Sequence, residues 1–165
     1  MNTSPDLLQA ALAIATALIY VGAAARQLLT LDGRRHRASR DVILLSVMAV
    51  SCHLAAVLLD FSNGAIDLGF YRISSLIFLI MGIISVLSLL VRPLQMVIIA
   101  TFPFSALAVL VSAFAPPTGQ PLEGLGGGLL AHIISSLLAF GVLTLASLQG
   151  ALLYVQTSRL RSHNT

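Results

Sequence analysis

Two histidines lie inside stretches that otherwise read as lipid-spanning helices. His53 falls in VMAVSCHLAAVLL and His132 in GGGLLAHIISSLLAF. An ionisable side chain at membrane depth is expensive, so it ordinarily faces a protein interior or a cavity and does a job there. Imidazole is also the commonest side-chain ligand of metals and a usual axial ligand of haem iron. A membrane histidine has a second use, as a hydrogen-bonding link between helices, and both readings stay open for each. Arg72 is the third residue of interest. It stands beside Tyr71 at the start of an apolar run, where it can snorkel, pair with Asp60 or Asp67, or meet an anionic group such as a haem propionate.

The elements that hold these residues follow from composition. The chain has 165 residues, of which 58% are hydrophobic and 9% charged, with a mean hydropathy of +0.98. A soluble domain carries about 25% charged residues, so this apolar excess calls for lipid. All nine basic residues are arginine, and their placement in loops accounts for the high isoelectric point without a nucleic-acid partner. Cys52 is the only cysteine, so no internal disulfide can form. The residues before the first apolar run carry Asp6 and no arginine, unlike a cleavable signal peptide.

Crossing the hydrocarbon takes about 20 mainly apolar residues in a helix. Five segments qualify, at about 7–25, 42–59, 71–91, 94–115 and 129–155. The expected fold is therefore all-α, a polytopic five-helix transmembrane bundle forming a single domain over residues 1–165. With five spans, Arg26, Arg34, Arg35, Arg37, Arg40, Arg92, Arg159 and Arg161 fall on one side, and only Arg72 on the other. The arginine bias predicts an outside N-terminus and a cytoplasmic C-terminus. Asp6, Asp60, Asp67 and Glu123 then lie outside. Pro93 is expected in the first turn of the fourth helix, where its missing N–H is tolerated. Pro103 falls mid-helix and predicts a kink.

His53 lies in the outer half of the second helix and His132 about a turn past Gly128 in the fifth. Both approach the outer side, as a shared site there would require. His36 and His163 sit among arginines and read as solvated. The stripe His132, Ser135, Ser136, Ala139, Leu143, Ala146 and Gly150 on the fifth helix, and Ser74, Ser75, Gly82, Ser85 and Ser88 on the third, read as packing surfaces where helices approach closely. The Pro- and Gly-rich segment 116–128 reads as a linker or as a loop over a pocket mouth. No phosphate-binding loop, HExxH, CxxC or CxxCH occurs. Carboxylates are absent from the span interiors, which ranks a small-solute transporter last.

SCHLAAVLL on the second helix, LGFYRISSLIFLIMGIISVLSLL on the third and LLAHIISSLLAFGVLTLASLQGALLYVQ on the fifth resemble the cytochrome c assembly protein family, in particular its HemX/YpjD-type inner-membrane proteins. The likeness runs over nearly the whole chain in the same segment order. It implies a bacterial inner-membrane protein, not an enzyme, that binds or handles haem in support of cytochrome c biogenesis. By the same resemblance, His132 matches the family histidine that is a candidate axial ligand, and His53 the second-helix histidine. The implied partners are the lipid bilayer, haem, other cytochrome c biogenesis membrane proteins or a missing C-terminal half. Members of this branch usually continue with further helices, whereas this sequence stops at RLRSHNT and looks like an N-terminal portion or a shortened version. The Trp-rich segment that presents haem in haem-delivery members has no counterpart, since the chain has no tryptophan. The rival expectation is a structural or regulatory membrane subunit without cofactor.

Overall fold

A computed structural model describes residues 7–30, 39–62, 66–67, 69–91, 95–116, 121–122 and 126–162. The expectations placed on Asp6, Arg34, Arg35, His36, Arg37, Arg92, Pro93, Glu123 and His163 lie outside the described residues.

The described residues form five helices: α1 (Leu7–Thr30), α2 (Arg40–Ser62), α3 (Phe70–Val91), α4 (Gln95–Phe114) and α5 (Gly127–Ser162). Each contains a stretch long and apolar enough to cross a membrane, and the protein is an all-α, multi-pass membrane bundle. Water is scarce in the hydrocarbon, so backbone N–H and C=O groups must pair within the segment, and a continuous helix does this.

Local chemistry sets several helix ends. The Ser39 hydroxyl accepts from the Val42 N–H at 3.4 Å, and its carbonyl accepts from Ile43 N at 3.2 Å, which starts α2. Asp41 in that first turn suits the positive end of the helix dipole. Its carboxylate also accepts from the Arg26 guanidinium at 3.2 Å, tying the end of α1 to the start of α2. Gly69 and Gly126 carbonyls accept the first bonds of α3 and α5. α4 closes with Ala115 N donating to Val111 O at 2.8 Å, just before Pro116.

Two helices outrun the apolar segments that announce them. α1 continues to Thr30, whose hydroxyl donates to the Gln27 carbonyl at 2.9 Å, and α5 continues to Ser162. Leaving the hydrocarbon does not end a helix, and Arg, Gln and Leu in these extensions are good helix formers. α4 stays helical on both sides of Pro103, whose ring is on the exposed face.

α1 packs most extensively on α4, with α2 on its other flank, and α3 closes the group against α4 and α2. The core where they meet is built from Ala13, Ala17, Tyr20, Ala23 and Ala24 on α1, Ala49 and Ala56 on α2, Val86 on α3, and Ile98, Phe102, Ala106 and Val109 on α4. The many alanines let these backbones approach closely. α5 stands apart, resting mainly on α3. Gly141 makes that contact possible, since a Cβ there would lie 3.0 Å from Ile80 Cγ2. Leu145 and Met81 are buried in the same seam. Only 11% of the apolar window of α5 is buried, against 50% for α4.

At the end of the bundle that holds Asp60, the α2–α3 and α4–α5 connections pair. Ile66–Asp67 (β1) runs antiparallel to Pro121–Leu122 (β2), with Ile66 opposite Leu122 and Asp67 opposite Pro121. The Pro-rich connection is thus tied to its neighbour over these two residues.

Candidate functional site

Polar side chains inside the four-helix group converge on His53, which is fully buried. Its Nδ1 lies 3.1 Å from the Tyr20 hydroxyl on α1, and its Nε2 lies 2.9 Å from the Ser75 hydroxyl on α3. One imidazole therefore links three helices, and both ring nitrogens are engaged. The Tyr20 ring meets the imidazole edge-on, with centroids 5.7 Å apart at 87°, and meets Phe102 of α4 at 4.9 Å and 71°. Gly82 on α3 makes room for the phenol: a Cβ there would be 3.1 Å from the Tyr20 oxygen and 3.3 Å from Val50 Cγ2.

Toward the loop-paired end, α2 finishes in a second polar group. The Arg72 guanidinium donates to the Asp60 carboxylate at 3.2 Å, and both side chains are mostly covered. Gln9 on α1 also donates to Asp60. Arg72 thus makes the Asp60 pairing that its position allows. Two small clefts open beside this group. One is lined by Asp60, Arg72, Ser75 and Ser112, and the other by Gln9, Asp60, Ser75 and Ser112, with Val57 in both. Each has room for about one water molecule. Ser75 therefore touches His53 on one side and lines both clefts on the other.

Deeper hydroxyls follow another pattern. Ser46 donates to Val42 O at 2.6 Å, Ser85 to Met81 O at 2.7 Å and Thr101 to Val97 O at 2.8 Å, each within its own helix. Ser85 and Thr101 also meet across the α3–α4 seam at 3.4 Å. These groups satisfy themselves locally and serve close packing.

His132 occupies a different environment. It is exposed on α5, and among the described residues its imidazole makes no hydrogen bond. The structure does not bring His132 and His53 together. One is held between α1, α2 and α3, and the other lies on the open side of α5. The α5 stripe of Ser135, Ser136, Ala139, Leu143, Ala146 and Gly150 is likewise exposed, so its small residues do not serve contacts within the bundle. The α3 stripe does, with Ser75, Gly82 and Ser85 buried. Cys52 is half-buried and in no disulfide.

Tyr20 was not legible as part of the site from spacing alone. A signal exists, since Thr16, Tyr20 and Gln27 are the buried polar residues of an otherwise alanine-lined face of α1. Among the described residues, no group of three or more His, Cys, Asp or Glu is placed to hold a metal ion. Comparison with protein-family models, curated proteins and solved structures finds no match to this chain.

Proposed function

We propose that this protein is a haem-handling component of a bacterial inner membrane, acting in support of cytochrome c biogenesis, with His132 as the axial ligand. The observation that carries the choice of ligand is the contrast between the two membrane histidines. His53 has both nitrogens occupied by Tyr20 and Ser75, so iron would have to displace one of them. His132 presents an imidazole with no hydrogen-bond partner among the described residues, on the exposed face of α5.

The fit to haem is partial. His132 supplies one ligand position. Arg72, the residue suited to a propionate, is already paired with Asp60, and the clefts it lines admit water rather than a macrocycle. The group would therefore lie against the open side of α5, with the second wall supplied by another membrane element. The exposed small-residue stripe around His132 permits close approach of such an element. When bound, haem carries its own redox chemistry, and this chain contributes ligation and orientation. No catalytic step is assigned to it. On the arginine bias, the Arg26–Asp41 end lies in the cytoplasm and the His132 end outside.

A second reading is a structural or regulatory membrane subunit, and it too has an observation in its favour. His53 joins three helices in the way a packing histidine would. The two readings separate in a haem titration of the purified protein, followed by reduced-minus-oxidised spectra. The expected result is a saturable haem spectrum in the wild type that is lost or shifted in His132→Ala. A folded wild type with no saturable binding contradicts the haem reading and leaves the subunit reading.

A further inference from the structure

The buried imidazole is not isolated from the Asp60 end of the bundle. Tyr20 is fully buried, and among the described residues the only hydrogen-bond partner of its hydroxyl is His53 Nδ1. A buried O–H left without an acceptor is penalised heavily, whereas a phenol oxygen that accepts nothing is not. Tyr20 must then donate, which makes Nδ1 the acceptor. In a neutral imidazole the proton is consequently on Nε2, which donates to Ser75 Oγ at 2.9 Å. The Ser75 hydroxyl accepts that bond and still has its own proton to give. Of the other buried hydroxyls of the spans, that of Thr16 makes no hydrogen bond among the described residues, while Ser46, Ser85 and Thr101 spend theirs on the carbonyl one turn back. No such bond is made by Ser75 among the described residues, and its side chain borders the two clefts that Asp60 also lines.

We propose that Tyr20, His53 and Ser75 form an oriented proton relay that ends on a water bound between Ser75 and Asp60, giving the buried imidazole proton exchange with the loop-paired face. Every donor in the chain then points the same way, from Tyr20 toward the Asp60 carboxylate. Arg72 and Gln9 hold that carboxylate in place. The titratable groups around the path are Tyr20 on α1, Cys52 and Asp60 on α2 and Arg72 on α3. Of the α4 residues that line the clefts, Val109, Ser112 and Ala113, Ser112 alone carries a polar side chain. A proton moves outward in one concerted shift: Tyr20 gives its phenolic proton to Nδ1 as Nε2 passes its own to Ser75 and Ser75 passes its own to the water beside Asp60. The reverse shift returns a proton from the water to Ser75, from Ser75 to Nε2 and from Nδ1 to the transient Tyr20 phenolate, so neither the imidazole nor the serine is left charged. The relay is independent of what His132 binds.

The test is NMR on the full chain in lipid nanodiscs with isotope-labelled histidine, His53 being assigned by its loss in His53→Gln. The wild type is expected to show the Nε2–H tautomer at His53, with a measurable rate of exchange against solvent deuterium. Ser75→Ala should slow that exchange by about tenfold, the factor expected when one buried hydrogen bond on the path is lost. Ser75→Thr keeps the hydroxyl and should restore it. An Nδ1–H tautomer in the wild type overturns the proposal by itself, even if the variants do not fold. Exchange in a folded Ser75→Ala as fast as in the wild type overturns it as well.

Discussion

His53→Ala should destabilise the bundle by about 2–4 kcal/mol, more than any other single truncation among its polar residues. The side chain is fully buried, so its removal leaves a cavity, and core truncations of this kind cost about 2–5 kcal/mol. It also breaks two interhelical hydrogen bonds, to Tyr20 and to Ser75. Such bonds contribute only about 0.6 kcal/mol each on average in membrane bundles, because the separated helices find other partners. The cavity therefore supplies most of the loss and the orphaned phenol the remainder. The matched comparison is His132→Ala. With an exposed side chain that makes no hydrogen bond among the described residues, it should change stability by less than about 0.5 kcal/mol. Reversible unfolding in mixed detergent micelles measures both. A His53→Ala loss no larger than that of His132→Ala would show that the imidazole does not hold α1, α2 and α3 together.

Gly82→Val is the other change with a large expected effect. The position of the new Cβ is 3.1 Å from the Tyr20 oxygen and 3.3 Å from Val50 Cγ2, and the branches of valine extend further. Tyr20 cannot swing away freely, because His53 and Phe102 hold its ring. Overpacking of this kind costs about 1–3 kcal/mol. The milder Gly82→Ala gives a sharper diagnosis. In a Tyr20→Phe background the nearest atom is gone, so the cost of Gly82→Ala should fall by about 0.5 kcal/mol or more, a coupling typical of residues in contact. Strict additivity in that double-mutant cycle would mean that Gly82 makes no room for the phenol.

Much of this arrangement is legible in the amino-acid sequence, and the parts that are not share one cause. Five apolar runs specify five helices because lipid leaves the backbone no other way to satisfy itself. His53 and Arg72 stand out because polar and charged groups are rare in such runs. The sequence does not say which neighbour each one meets. Tyr20 and His53 come from different helices, and so do Ser75 and the carboxylate that shares its cleft. These pairings depend on how the helices rotate against one another. Small residues are ambiguous for the same reason. The stripes on α3 and α5 look alike as sequence, yet one packs inside and the other faces out, because α5 rests, among the described residues, mainly on α3. The helix ends depart from the apolar boundaries at α1 and α5, where helix propensity carries on past the hydrocarbon.

The division between a ligand histidine and a packing histidine is the claim on which the functional reading turns. Haem that binds the folded protein and not the unfolded chain must raise its stability by mass action. The decisive measurement is the shift in unfolding midpoint on adding saturating haem to the wild type, His132→Ala and His53→Gln. The account predicts a rise in the wild type, no rise in His132→Ala, and a rise from a lower starting point in His53→Gln. A haem-dependent rise that survives in His132→Ala and disappears in His53→Gln would contradict it.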